Sequence, residues 1–156
     1  MIKILLSIAL VILCSGGGWA LTRKYKLRKD FFYQMSLFNA RLINEVSYTK
    51  MPIAAFIEKY TFPGDFGRLL QEIKAKGTSA EGCNFSYLTQ EDQSFVRDYF
   101  LMVGKSDAMS QKEYLSSIGA ETERLRSESN EECKRRMNLY IRLGFLIGLI
   151  AAIVLA

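Results

Sequence analysis

The sequence predicts an all-α chain, a helical bundle held between two terminal apolar segments. Three observations carry this. Apolar residues recur at helical spacing through the middle of the chain, alternation of period two is nowhere sustained long enough for a strand, and both ends are uncharged apolar runs. The 156 residues leave room for one modest domain, and an apolar fraction of 49% averages oily ends with a polar middle.

The first element is the uncharged run Ile4 to Leu21, 18 residues long. As a helix it measures about 27 Å, enough to span a bilayer with little tilt. Three readings compete for it. A secretory signal cleaved after Ala20 has small residues at Gly18 and Ala20. A lipoprotein signal ending at Cys14 is disfavoured by the large Leu13. An uncleaved anchor is favoured, because Arg23, Lys24, Lys26, Arg28 and Lys29 follow directly and positive charge there resists translocation.

The helix continues beyond the basic exit, with Leu27, Phe31, Met35, Phe38, Leu42 and Val46 in steps of four and three that make one wide stripe. Thr49 to Pro52 interrupts it, and Pro52 suits the first turn of a short second helix, IAAFIEKY. TFPGDFG reads as a turn, after which Asp65 is expected to cap a third helix that Gly77 ends. Gly77 to Tyr87 reads as a loop with one short turn of helix. Thr89 and Asp92 have capping-box spacing and open a fourth helix with Phe95, Val96, Tyr99, Phe100 and Val103 on one side and Gly104 closing it.

The last third, Ser110 to Ala156, contains no proline and reads as one helix of roughly 70 Å. Tyr114, Ile118, Leu125, Cys133 and Met137 keep a stripe, which Thr122 and Ser129 weaken. That weak middle is expected to be free to meet a partner, while the part nearer the membrane packs antiparallel against the first helix. Glu131 with Arg135 and Glu132 with Arg136 are i,i+4 pairs in the favourable order. Leu143 to Ala156 is an uncharged run of 14 residues. Extended back to Leu139, it reaches about 27 Å if Arg142 snorkels to the headgroups. Domain bounds follow at 1–21, 22–138 and 139–156.

All 16 acidic residues lie between Asp30 and Glu132, where only 11 Lys and Arg accompany them, so the overall +5 belongs to the membrane boundaries. The boundary set is Arg23, Lys24, Lys26, Arg28 and Lys29 on one side and Lys134, Arg135, Arg136 and Arg142 on the other. By the positive-inside rule both clusters hold the central segment in the cytoplasm, in contact with the lipid bilayer at each end. The acidic middle disfavours nucleic acid. Gly16, Gly17 and Gly18 in the first span and the Gly144 and Gly148 pair in the second suit close packing of the spans, with homo-oligomerisation through the GxxxG spacing as the other use.

The chemistry-bearing residues are sparse. There is no histidine, the three cysteines Cys14, Cys83 and Cys133 have no metal or redox spacing, and no nucleophile stands with a base, so no catalysis, metal or cofactor is expected. Gly104-Lys105-Ser106 imitates the end of a phosphate loop, but Tyr99 stands where the first glycine belongs and a helix precedes it. It reads as a corner between helices, with Ser106 or Asp107 capping the next.

The order of features resembles the stage III sporulation protein AB family of endospore-forming bacteria. The resemblance rests on Ile43, Glu45, Tyr48 and Pro52, on Leu88, Asp92, Phe100 and Gly104 ahead of GKSD and Gln111, and on the Arg-rich helix that enters YIRLGFLIGLI. It implies a bundle similar to the cytoplasmic domains of F-type platform proteins of type II secretion. It further implies a non-enzymatic adaptor in the channel complex between mother cell and forespore, with a cytoplasmic ATPase and ring-forming membrane proteins as partners. Lys105, Ser106, Asp107 and Gln111 are then the candidate contact residues. The alternative is an exported or surface-anchored helical protein with a cleaved signal.

Overall fold

The computed structural model of the protein describes residues 2–48, 52–76, 84–103 and 108–155. Five helices account for nearly all of them: α1 Ile2–Tyr48, α2 Ile53–Lys59, α3 Gly64–Lys76, α4 Gln90–Met102 and α5 Ala108–Leu155. No strand occurs among the described residues. The chain divides into two compact units, one made of Met1–Leu27 with Glu128–Ala156, the other of Arg28–Ser127.

The larger unit is built on the α1 stripe. Phe31, Met35, Phe38 and Leu42 are buried as their spacing predicts, and Phe32 and Asn39 widen the buried face. Phe38 is the hub: its ring centroid lies 5.3 Å from Phe56, 5.5 Å from Phe62, 5.6 Å from Phe66, 5.7 Å from Phe100 and 6.3 Å from Tyr99. One side chain of α1 thereby ties down α2, α3 and α4. Burying each such ring stabilises by roughly 1.5–3 kcal/mol, and edge-on aromatic pairs add to that.

α5 closes the same unit, running antiparallel to α1. Ser36 donates to Glu123 at 2.8 Å, Arg126 stacks over Tyr33 at 5.2 Å, and the Asn39 amide donates to the Leu115 carbonyl at 3.2 Å. The expected free middle of this helix is absent. Thr122 is 1% exposed, as is Ser129 in the smaller unit. Small side chains here let two helix backbones approach, so a polar residue that weakens an apolar stripe still marks a buried face. Thr122 meets its own hydrogen-bonding need by donating to the Ile118 carbonyl at 2.9 Å.

Two helix starts differ from expectation. Pro52 is the N-cap of α2 and not its first helical residue: its carbonyl accepts the Phe56 N–H at 3.0 Å. α3 begins at Gly64, whose φ of +73° turns the chain two residues early, so Asp65 lies inside the first turn and does not cap. Gly67 is fixed by contact. A Cβ there would overlap the Phe62 carbonyl oxygen.

The fourth helix starts as its sequence predicts. Thr89 Oγ1 accepts the Asp92 N–H at 3.1 Å while the Asp92 carboxylate accepts the Thr89 N–H at 3.0 Å. Its C-cap is Val103; the expected Gly77 and Gly104 stops lie outside the described residues.

In the smaller unit α1 and α5 meet through Arg136, whose guanidinium carbon lies 5.6 Å from the Tyr25 ring centroid. Thr22, Ser129, Cys133, Gly144 and Gly148 are buried in this unit. Among the described residues no helix is long and apolar enough to cross a membrane. The side chains of residues 1–20 and of 151, 152 and 154–156 lie outside the description, so the predicted first span falls almost wholly outside it, as do the surroundings of Gly16, Gly17 and Gly18, whereas most of the second is described.

Candidate interaction surface

The residues predicted to touch a partner are Lys105, Ser106 and Asp107, which lie outside the described residues, and Gln111, which stands in α5 with its side chain outside them. What the structure supplies is the frame on either side of that corner. α4 ends with Val103 fully buried and with Leu101 and Met102 exposed at 39% and 53%. α5 is anchored seven residues beyond its start by Leu115, which is fully buried.

The frame is locked by polar contacts in its interior. Arg28 and Asp92 form a two-pronged ion pair, Nε to Oδ2 at 2.8 Å and Nη2 to Oδ1 at 2.9 Å, that joins α1 to α4. Both side chains are buried, at 9% and 3% exposure. Burial by itself raises the Asp92 pKa, but the Arg28 hydrogen bonds and charge together with the Thr89 cap outweigh it and hold the carboxyl below its ordinary value. The Arg28 guanidinium also lies 5.4 Å from the Phe32 ring. This corrects the sequence reading of Arg28. It is a core residue, because α1 turns that position toward the N-terminus of α4, where a buried carboxylate needs a cation.

A second interior node joins α1, α4 and α5. Tyr99 donates its hydroxyl to the Asn39 side-chain Oδ1 at 3.0 Å, and the Asn39 Nδ2 donates to the Leu115 carbonyl on α5. Burial, with a smaller contribution from nearby Tyr114, pushes the Tyr99 hydroxyl well above its ordinary pKa, so it remains a donor. Neither node has a signal in the sequence beyond a polar residue on an apolar face, and the partners stand 64 and 60 positions apart.

At the end of α1, Glu45 accepts from both Lys59 and Tyr60 of the α2 region, and Arg41 lies over the Tyr60 and Phe62 rings at 5.1 and 5.5 Å. Glu45 is therefore tied into the fold. Asp65 likewise accepts from Tyr87 at 2.9 Å and from Arg68 at 3.1 Å.

The boundary residues divide. Arg23, Lys24, Lys26, Lys134, Arg135 and Arg142 are exposed and Arg136 is half-buried, whereas Lys29 is half-buried beside Asp30 at 3.9 Å. Beyond Asn138 the exposed side chains of α5 are apolar apart from Arg142: Leu139, Ile141, Leu143, Phe145, Leu146, Ile147, Leu149, Ile150 and Ile153 are 43–67% exposed, while Gly144 and Gly148 are buried. Soluble proteins rarely leave so long an apolar face uncovered.

With this geometry in view, the family model described as stage III sporulation protein AB matches residues 3–156. The chain belongs to the stage III sporulation protein AB family. No curated protein matches the chain, and no solved structure does. Membership gives this member of the family a role in sporulation and places it in the context of a sporulation complex. Asp92, one of the residues on which the resemblance was drawn, turns out to hold Arg28 inside the core, and Phe100 packs 5.7 Å from Phe38. Leu88 and Phe100 are buried too, so much of the motif is fold-forming.

Proposed function

We propose that this protein is a non-enzymatic platform component of the channel complex between mother cell and forespore. It is anchored by two spans at 1–21 and 139–156, with the Arg28–Ser127 unit in the cytoplasm. There the unit binds a cytoplasmic ATPase and couples it to ring-forming membrane proteins, as the family resemblance implies. The observation that carries the reading is the surface of α5, where water-facing charge gives way, past Lys134 and Arg135, to an exposed apolar face interrupted by Arg142. Family membership supplies the sporulation context.

The interior nodes support an adaptor. Two pairs of buried polar groups join helices, Arg28 with Asp92 and Asn39 with Tyr99, an arrangement suited to presenting a rigid outer surface. The corner with Lys105, Ser106, Asp107 and Gln111 is the proposed contact face.

Thiol accessibility tests the topology, but the native Cys133 is buried and unsuited to it. Ser94→Cys and Ser116→Cys place thiols on exposed positions of α4 and α5. In a chain whose three native cysteines are replaced by alanine, a membrane-impermeant maleimide is expected to label them only after protoplasts are lysed. Labelling in intact protoplasts places the unit outside and favours the exported alternative. A lysis-dependent result leads to cross-linking in sporulating cells, where the ATPase is expected among the captured proteins.

A further inference from the structure

The charge of this chain is partitioned between its two units. The Met1–Leu27 and Glu128–Ala156 unit carries eight basic residues against Glu128, Glu131 and Glu132, so all of the net +5 resides there. Unit Arg28–Ser127 has thirteen of each sign. Within the basic unit the contact between Tyr25 and Arg136 sets a register. It brings Arg23, Lys24 and Lys26 of α1 level with Lys134 and Arg135 of α5, although the two groups stand more than 100 positions apart in sequence.

The order of surfaces along the unit follows from this level. α1 and α5 run in opposite directions, so Leu21 on one and Leu139 and Ile141 on the other lie to the same side of the collar, all exposed. On the opposite side along α5, Glu128, Glu131 and Glu132 line a cavity of about 470 Å³ with Arg135. The sequence along the axis is carboxylate, cation, then hydrocarbon with the one exposed cation Arg142 set near its start among the described residues. That order matches the boundary of an anionic bilayer: acyl chains, then phosphates, then water. Arg136 stands half-buried between the two clusters, its guanidinium against the Tyr25 ring.

We propose that this two-helix collar, Arg23, Lys24 and Lys26 with Lys134, Arg135 and Arg136, is a headgroup-binding surface selective for anionic phospholipids. It rests on the membrane reading above. Clustered Lys and Arg beside a span attract anionic lipid, and two clusters held at one level reach the same ring of headgroups.

The test uses the full chain reconstituted in bilayers of equal phosphatidylglycerol and phosphatidylcholine, extracted in polymer discs so that the lipid retained around the protein is weighed by mass spectrometry. The native chain is expected to retain phosphatidylglycerol in excess of the bulk ratio. R23Q/K24Q/K134Q/R135Q changes only exposed side chains and is expected to lose that excess, whereas R23K/K24R/K134R/R135K keeps it. K76Q/R97Q/K112Q, which removes three exposed charges from the other unit, also keeps it. A bulk ratio around the native chain overturns the proposal, as does an excess that survives neutralisation of the collar. Release of the chain from membranes by alkaline carbonate overturns the membrane reading itself, so the two failures are distinguishable.

Discussion

At the scale of single residues, Arg28 and Asp92 decide more than their neighbours. A buried ion pair loses little when both partners are replaced by apolar groups of matching size, but removing one strands the other. Arg28→Met is therefore expected to destabilise the protein by about 3–5 kcal/mol, and Arg28→Met with Asp92→Leu to recover much of that, read from denaturant midpoints in a double-mutant cycle. The pH dependence has a definite sign. The Asp92 carboxyl titrates below its ordinary value of 3.8 when folded, so its contribution is complete above that value and disappears as pH falls through the lower folded value. Acid unfolding of the native chain is thus expected to be steeper below pH 3.8 than that of the apolar double variant. Gly67→Ala is the other sharp case. Its Cβ meets the Phe62 carbonyl oxygen, and a cost of about 3 kcal/mol or more is expected from the thermal midpoint.

At the scale of elements, α5 carries the main lesson. Its buried residues in the middle are Thr122 and Leu125 in the larger unit and Ser129 and Cys133 in the smaller, small or polar save one. Volume matters more than polarity on such a seam. Ser129→Leu is expected to cost about 1–3 kcal/mol by overpacking, while Ser127→Leu on the exposed face leaves the thermal midpoint nearly unchanged. The same comparison in detergent checks the prediction for the smaller unit, where Gly144 and Gly148 continue the run of small buried residues.

At the scale of the whole molecule, charge is separated between units as well as along the chain. A neutral Arg28–Ser127 unit with interior cross-links and a unit that holds all the net charge beside an apolar surface are two different kinds of object. The proposed function assigns protein contacts to the first and the lipid boundary to the second. Family membership sets the outcome to look for in cells: deletion is expected to leave vegetative growth intact and to cut the yield of heat-resistant spores by orders of magnitude. Heat-kill plating reads this, with the native chain restoring the yield and thereby excluding effects on neighbouring genes.

The helical class, four of the helix boundaries within a residue or two, the α1 stripe and the Thr89 capping box were all legible in the sequence, because each depends on neighbours within four or so positions. The family was legible for the same reason, in short strings such as LTQEDQSF and GKSD. Tertiary structure alone decided which polar residues are inside. Arg28 reads as one more cation in a basic exit, and Asp92 as a cap; only the approach of α1 to α4 makes them a buried pair across 64 positions. Thr122 and Ser129 read as interruptions until a facing helix supplies the reason for their size. The meeting of Tyr25 with Arg136 is likewise set by the approach of α1 to α5, across more than 100 positions. Local propensity selects elements, whereas the register between distant helices is chosen by how their side chains fit, and that fit exists only once the helices meet.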